Sequence, residues 1–177
     1  MTLLQQYWTI FDPDPGFNTV VHHKISLIPN AKPCHQTPYR LSPDKTRCFN
    51  SQIQSVLKYD IIEDSLSPWS VPILVVPIPG GSSRLCIDFR KINAVTEPDP
   101  YPIPRVDDFL DRFVGAHFLS KLDMNKAYWQ VEIAPQDRHL TGFVTSYGHW
   151  IWKRMAFGLR NAPTTFSRLV ANVLEGL

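Results

Sequence analysis

Proline is the feature of this chain that most constrains its fold. The 177 residues include 16 prolines, most of them within the first hundred positions. Each proline fixes the backbone φ angle and removes a hydrogen-bond donor, so it interrupts regular structure except at the first turn of a helix or at a sheet edge. The pattern therefore predicts short elements on irregular connections in the first half of the chain and a more regular second half.

The composition indicates a globular domain with a real core. Hydrophobic residues make up 44% of the chain and aromatic residues 12%, which is enough for one domain of this length. No apolar run approaches the roughly 18 residues of a membrane helix, and the Met1 end lacks a basic segment followed by an apolar one. We therefore expect an intracellular protein, cytoplasmic or nuclear. A net charge of +2 does not by itself indicate a nucleic-acid partner.

Residues 42–60 carry the signals of a complete helix. Ser42 can cap the first turn, Pro43 suits the first helical position, and Asp44 lies near the positive end of the helix dipole. The helix should end near Tyr59, and Asp60 must then adopt a left-handed turn.

Other local patterns predict a mixture of helices and strands. Two β-rich runs, residues 73–76 and 85–87, flank a glycine turn at 79–82 and predict a hairpin. Apolar residues at spacings of three and four predict a last helix that continues from Phe166 to Leu177. We also expect a helix at residues 107–113, and strands at 22–27, 117–122, 129–133, 142–145 and 150–153.

An acidic residue and an aromatic residue follow the apolar run at 117–122. Asp123 ends that run, and Tyr128 comes five residues later. A carboxylate at a strand end is a hard oxygen ligand of the kind that Mg²⁺ prefers. A solvated aspartate that caps the next turn has the same local pattern, and an aromatic residue after a turn is commonly part of the core. The local pattern leaves these alternatives open.

Three motifs together resemble one known family. They are Leu-Cys-Ile-Asp-Phe-Arg at 85–90, the segment 118–131, and Met-Ala-Phe-Gly-Leu-Arg-Asn-Ala-Pro at 155–163. They resemble the reverse transcriptase of Ty3/gypsy-like long-terminal-repeat retrotransposon polyproteins, from about His23 to the C-terminus. The resemblance implies an α+β right-hand polymerase fold truncated before the second catalytic hairpin. Its segments would be a lead-in from the upstream polyprotein (1–23), the fingers (24–105) and the first part of the palm (106–177).

The resemblance also implies an activity and a metal. The activity is RNA-directed DNA synthesis on a primed RNA or DNA template, by two-metal nucleotidyl transfer from deoxynucleoside triphosphates. Asp123 would be the catalytic residue, and it would hold Mg²⁺ or Mn²⁺ together with the backbone carbonyl of Met124. Tyr128 would lie under the sugar and exclude a 2′-hydroxyl by steric clash.

Further residues would contact the nucleotide, the template or the primer. A guanidinium fork at Arg84 suits the triphosphate oxygens, and Phe157 with Gly158 would lie under the nascent base pair. The simpler alternative for Arg84 is a surface arginine beside a turn. The positions assigned to template and primer are Asp88, Arg90 and Arg160, with Asp88 mainly ordering the fingers.

The chain departs from the family pattern in ways that predict weak activity. The hairpin tip at 77–81 lacks the usual lysines, Ala156 replaces a proline, and Leu140 replaces a lysine. The aromatic-x-Asp-Asp element that supplies the second aspartate pair does not occur in these 177 residues, and we assign Asp107 and Asp108 to a helix start. The rest of the palm, the thumb, ribonuclease H and integrase are also outside this sequence, so we expect the isolated chain to polymerise little or not at all.

Two alternatives have different functional consequences. The first is a non-catalytic nucleic-acid-binding or domesticated interaction protein derived from a decayed element, which the missing fingers lysines favour. The second is an unrelated metal-dependent phosphotransferase that uses Asp123. The absence of a G-x-x-x-x-G-K phosphate loop from the sequence disfavours the second alternative.

Overall fold

The computed structural model describes residues 2–77, 83–111 and 113–176, apart from the side chains of residues 77, 83, 84 and 109. The chain is α+β, as predicted. Its α-helices are α1 (Leu3–Gln6), α2 (Pro43–Lys58), α3 (Arg90–Val95), α4 (Val106–Asp111) and α5 (Ala162–Val173). Its strands are β1 (His22–His23), β2 (Ile62–Asp64), β3 (Val71–Pro77), β4 (Ser83–Ile87), β5 (Glu132–Ile133), β6 (Phe143–Val144) and β7 (His149–Trp152). Short 3₁₀-helices lie at Trp8–Phe11, Ala127–Gln130 and Pro135–Thr141.

Two sheets organise the described residues. The larger has five strands in the order β2-β7-β6-β3-β4, and only the β3–β6 pair is parallel. The smaller is a parallel pair of β1 and β5. Helix α2 buries Phe49, Ile53 and Val56 in the same core as the apolar residues of the larger sheet. Among the described residues, no helix combines the length and the apolar character needed to cross a bilayer.

Helix α2 begins and ends where the sequence predicts. The Lys45 amide donates to Ser42 Oγ at 3.5 Å, and Pro43 occupies the first turn. Tyr59 follows the last helical residue, and Asp60 has a φ of 52°, in the left-handed region. The predicted hairpin is also confirmed, because β3 and β4 pair in antiparallel register from Ile73–Ile87 to Pro77–Ser83. The predicted turn at 79–82 lies outside the described residues.

The prediction of a looser first half and a more regular second half was wrong. The longest described helix, α2, and the longest described strand, β3, both lie in the first half. Most of the prolines occur in connections or at a helix start, such as Pro43 at the first turn of α2, where they cost little. The interiors of the helices and strands in the first half therefore contain few prolines and can form regular backbone hydrogen bonds.

The predicted strand at 117–122 is also absent. These residues have no helix or strand, and Phe118 is 95% exposed while Leu122 is 80% exposed. An extended apolar segment becomes a strand only where a neighbouring strand satisfies its backbone groups. None of the described strands pairs with this segment, so apolar composition alone does not order it.

Several other predicted elements are shorter than expected. Trp129 lies in a 3₁₀-helix, and only β5 remains of the strand predicted at 129–133. The strand predicted at 22–27 is reduced to β1, and the helix predicted at 107–113 is α4. Helix α5 ends at Val173 instead of continuing to Leu177, because Gly176 takes a φ of 88° and Leu174 already departs from the helix. Leu177 itself lies outside the described residues.

Candidate active site

The turn formed by residues 125–130, here called the Tyr128 turn, carries the aromatic residue that follows Asp123. Lys126 opens it with a φ of 48°, a left-handed conformation that is uncommon for a residue with a side chain. A 3₁₀-helix from Ala127 to Gln130 follows, and the Trp129 amide donates to the Lys126 carbonyl at 2.8 Å. The turn therefore has a defined backbone that fixes the direction of the Tyr128 ring.

The Tyr128 ring packs between two other aromatic rings. Its centroid lies 4.8 Å from that of Phe157 and 5.7 Å from that of Phe166, at interplanar angles of 31° and 58°. Such tilted pairs are favourable geometries for aromatic side chains. Burial raises the pKa of the Tyr128 phenol above its ordinary value, so the ring is neutral at physiological pH. The structure thus brings together two residues that the sequence assigned to the nucleotide, Tyr128 and Phe157.

Residues 155–160, here called the Phe157 loop, bend at a glycine. Gly158 has a φ of 95°, and a Cβ at this position would lie 3.6 Å from the Phe89 ring. The side chain of Asn93 holds this bend, because its Nδ2 donates to the Gly158 carbonyl at 2.8 Å and its Oδ1 accepts from the Arg160 amide at 2.9 Å. Sequence reasoning missed Asn93, since a single asparagine on a short helix forms no motif.

Arg160 is tied to the end of α3. Its Nη1 donates to the carbonyl of Asn93 at 3.1 Å and to that of Thr96 at 2.9 Å. A cation that satisfies the last carbonyls of a helix stabilises that helix end. These contacts give Arg160 a structural role, while its predicted contact with the template or primer stays a prediction.

Asp88 and Arg90 form a two-point ion pair directly after β4. Arg90 Nε and Nη2 each donate to one carboxylate oxygen of Asp88 at 2.7 Å. The Asp88 side chain is 5% exposed and that of Arg90 is 82% exposed. The hydrogen bonds from Arg90 hold the pKa of the Asp88 carboxyl below its ordinary value despite burial. The pair anchors one edge of a largely exposed guanidinium.

Arg84 lies on β4, where its backbone pairs with Val76 of β3. Its side chain is outside the described residues, so its predicted contact with the triphosphate stays a prediction. The next residue fixes the strand to α2, because the Leu85 amide donates to Gln52 Oε1 at 2.8 Å. The backbone of the predicted phosphate-binding strand is thus anchored to the longest described helix.

Asp123 and Met124 precede the Tyr128 turn and are exposed. The described part of the chain contains no group of three or more His, Cys, Asp or Glu side chains that could hold a metal ion. One carboxylate and one carbonyl nevertheless suit a hard cation that takes its other ligands from phosphates and water. The two residues can therefore contribute to a divalent-cation site, and they do not form a complete one.

A cavity of about 260 Å³ lies between the Tyr128 turn, the Phe157 loop and β4. Leu85 and Ile87 of β4 line it together with Lys126, Trp129 and Phe157, and its remaining lining residues are Gln52, Ser55, Val56 and Trp152.

Lys126 also bridges α2 and the turn. Its Nζ lies 4.5 Å from the Tyr59 ring centroid and 5.2 Å from that of Trp129, within the range of cation–π attraction. Sequence reasoning missed Lys126, because the residue is remote from Tyr59 in sequence and only the fold brings them together.

Comparison with solved structures identifies the class of fold. The chain superposes on the foamy viral protease-reverse transcriptase in complex with RNA/DNA hybrid with a TM-score of 0.83 and 20% sequence identity, over 99% of this chain and 24% of that chain. The α+β polymerase fold expected from the sequence is thereby confirmed.

The sequence comparisons identify the family. The model described as "Reverse transcriptase (RNA-dependent DNA polymerase)" matches residues 76–177, and the chain belongs to this family. It is 34% identical over 166 residues to the retrovirus-related Pol polyprotein from transposon 297 of Drosophila melanogaster, covering 91% of the chain. It is 35% identical over 165 residues to the corresponding polyprotein from transposon gypsy, covering 90% of the chain. The chain spans 16% of the length of each of these relatives. The resemblance to the Ty3/gypsy-like group is confirmed.

Proposed function

We propose that this chain supplies the nucleotide-binding half of an RNA-directed DNA polymerase, with the fingers at residues 24–105 and the first part of the palm at 106–177. The observation that carries this proposal is the packing of Tyr128 on Phe157, at 4.8 Å between centroids, in a turn that begins two residues after Asp123. This arrangement offers an aromatic surface for a nucleotide, in a turn that closely follows in sequence a carboxylate for its cation. Family membership supports the proposal.

The substrate is a deoxynucleoside triphosphate, and each side chain acts on a different part of it. Asp123 and the Met124 carbonyl hold a divalent cation, Mg²⁺ or Mn²⁺, which when bound neutralises triphosphate charge. Tyr128 presents its ring to the sugar, where a 2′-hydroxyl clashes with it. The adjacent rings of Phe157 and Phe166 hold the Tyr128 ring in position. Phe157 is 51% exposed, so part of its ring is free to contact the base pair.

The phosphates and the template are bound by arginines. Arg84 on β4 supplies a fork of donors for the β and γ phosphates. Arg90 uses Nε and Nη2 for Asp88, and its side chain is 82% exposed, so it can donate to a template phosphate. The ion pair orients the guanidinium, so less side-chain entropy is lost when the phosphate binds.

Nucleic-acid binding by the 177-residue chain tests the proposal. Retention of a primed RNA template on filters should fall linearly in a plot of log affinity against log salt, because phosphate contacts release counterions. Arg90→Ala should weaken retention and flatten the slope. Arg47→Ala is the matched control, since Arg47 lies on the exposed side of α2 and pairs with Asp44, three residues earlier. Binding that is absent at low salt, or insensitive to salt, contradicts the proposal.

Primer extension on poly(rA) with Mg²⁺ separates binding from synthesis. We expect no product from these 177 residues, because they offer one carboxylate where two-metal transfer needs more ligands. Robust extension would overturn the expectation of an incomplete catalytic site. Template binding without any nucleotide binding would instead favour a non-catalytic nucleic-acid-binding protein.

A further inference from the structure

Residues 12–18, here called the strap, pack against the Tyr128 turn although they lie more than a hundred positions away in sequence. One link joins Asn18 to Gln130. The Asn18 amide donates to the Gln130 carbonyl at 2.9 Å, and Asn18 Nδ2 donates to the same oxygen at 3.1 Å. Two donors thus meet the carbonyl that ends the 3₁₀-helix of the turn.

The middle of the strap is joined to the turn through Arg154. Arg154 Nη1 donates to the Gly16 carbonyl at 3.5 Å and to the Trp129 carbonyl at 3.2 Å. Its guanidinium carbon lies 4.6 Å from the centroid of the Phe17 ring. One arginine therefore contacts the strap and the turn at the same time.

The start of the strap reaches the first residue of the turn and the end of α2. Asn125 Nδ2 donates to the Pro13 carbonyl, and Tyr59 Oη donates to Asp14 Oδ1 at 2.5 Å. Within the turn, Gln130 Nε2 donates to the Asn125 carbonyl at 2.8 Å. Both ends of the turn are thus held by the strap and tied to each other.

The segment that directly precedes the turn offers no comparable support. Residues 116–124 form neither helix nor strand and are exposed. The described contacts therefore anchor the Tyr128 turn from the strap, from Arg154, from Lys126 on Tyr59, and from the Tyr128 ring itself. Among these contacts, the strap residue Asn18 and Arg154 supply the hydrogen bonds to the backbone carbonyls of the turn.

We propose that the strap is a positioning element of the nucleotide site, which sets the placement of the Tyr128 ring and with it the discrimination between deoxyribose and ribose. The inference rests on the proposed function, because it takes Tyr128 as the residue that meets the sugar. A ring displaced by a small distance no longer meets a 2′-hydroxyl, while the packing on Phe157 still leaves a surface for the nucleotide. The strap therefore controls selectivity more than overall affinity.

A pair of substitutions at Asn18 weakens the contact. Asn18 Oδ1 accepts from the amides of Val20 and Val21, both at 2.9 Å, while Nδ2 donates to the Gln130 carbonyl at 3.1 Å and to the Val21 carbonyl at 3.3 Å. Asn18→Asp keeps the acceptor and loses both bonds made by Nδ2, whereas Asn18→Ala loses the acceptor as well. The Asn18 backbone amide donates to the Gln130 carbonyl in both variants. Gln54→Ala, at an exposed position of α2, is the control.

Two measurements on the full 177-residue chain test the proposal. Hydrogen exchange should become faster by roughly fivefold in residues 125–131 of both Asn18 variants, the factor expected for one lost neutral hydrogen bond. The binding preference for a fluorescent deoxynucleoside triphosphate over its ribonucleotide, measured with primed template and Mg²⁺, should fall by a similar factor. The Gln54 variant should match the unmodified chain in both measurements.

The results separate the strap from the proposed function. Unchanged exchange in residues 125–131 overturns the strap as an anchor of the turn. Faster exchange with an unchanged preference overturns its effect on the sugar. If the unmodified chain binds neither nucleotide, the proposed function fails and the proposed effect on selectivity falls with it, while the exchange comparison still decides whether the strap anchors the turn.

Discussion

The Asp88 carboxylate receives two hydrogen bonds of 2.7 Å from the Arg90 guanidinium, and the two residues differ in exposure by more than an order of magnitude, 5% against 82%. A buried acceptor thus anchors an exposed cation. The arrangement orders the segment between β4 and α3, where Asp88 ends the hairpin. It also makes Arg90 a preoriented donor at the surface.

Replacing Asp88 by asparagine should destabilise the chain by about 2 kcal/mol, the scale of hydrogen bonds to a charged group. The pKa of Asp88 is lowered below its ordinary 3.8 by Arg90, so the charged form is stabilised by folding. Its contribution is therefore present above pH 3.8 and lost as the pH falls through the folded pKa. Urea unfolding of the two proteins at a series of pH values should show the difference shrinking in acid. A difference that does not change with pH contradicts this account.

His23 should make the chain sensitive to mild acid. The side chain is 1% exposed, and burial lowers its pKa from 6.5 to about 4, with the charge of Asp99 opposing the shift. The neutral ring contacts Thr165 Oγ1 at 2.8 Å. Because the unfolded chain binds the proton more tightly, stability is fully present above pH 6.5 and declines as the pH falls toward 4, by roughly 3 kcal/mol.

Thermal unfolding between pH 7 and 4 measures this effect. His23→Gln keeps a hydrogen-bonding side chain that does not titrate, so its melting temperature should depend less on pH in this range. Equal pH dependence in the two proteins would show that other groups cause the acid sensitivity.

Asp123→Asn should leave stability within about 0.5 kcal/mol of the unmodified chain, as is usual for an exposed position away from structural contacts. The same change should remove the Mg²⁺-dependent part of nucleotide affinity, because an amide is a weaker ligand for a hard cation. Titration of a deoxynucleoside triphosphate with and without Mg²⁺ measures this effect. Asp111→Asn, another aspartate in the same half of the chain, is the control.

Two substitutions at Tyr128 should separate the contribution of its ring to stability from its effect on sugar selectivity. Tyr128→Ala removes the contacts with Phe157 and Phe166 and should cost about 2 kcal/mol, less than a fully buried aromatic residue. Tyr128→Phe keeps the ring and should retain both stability and the preference for deoxyribose. Chemical unfolding and competitive binding of the two nucleotide types distinguish these outcomes. Loss of the preference in Tyr128→Phe would show that the hydroxyl, rather than the ring, meets the sugar.

Asp60 offers a test of backbone strain. Asp60 has a φ of 52°, a left-handed conformation that glycine adopts without steric cost. Asp60→Gly should therefore stabilise the chain, and Asp60→Ala should destabilise it by about 1 kcal/mol. Asp60 also pairs with Lys153, but its side chain is 74% exposed, so the loss of that pair should cost only about 0.5 kcal/mol. Unfolding midpoints should follow the order Asp60→Gly, unmodified chain, Asp60→Ala. A glycine variant less stable than the alanine variant would contradict this order.

The parts of the fold that local chemistry determines could be predicted from the sequence. Ser42 and Pro43 define the start of α2, and the β-rich runs around residues 73–76 and 85–87 define the hairpin, because caps, turns and alternation act over a few residues. The segment 117–122 could not be predicted in this way. Its apolar residues have the composition of a strand, but a strand depends on a distant partner that local composition does not reveal.

The residues of the candidate site also fall into a group that the sequence reveals and a group that only the fold reveals. Tyr128 and Phe157 were assigned from motifs, and the fold brings their rings together. Asn93 and the strap lie outside the motifs, and Lys126 lies inside one without an assigned role, since each acts on a residue that is remote in sequence. The supporting contacts of the site therefore become visible only in three dimensions, whereas the residues assigned to substrate are visible in the sequence.

The Lys126 ammonium lies over the rings of Tyr59 and Trp129, one at the end of α2 and one in the turn. A rotation of α2 away from the Tyr128 turn would pull the Tyr59 ring from the cation while the Trp129 ring stayed in place. The lysine thus couples α2 to the turn mechanically, and tryptophan emission from Trp129 should report any opening between them.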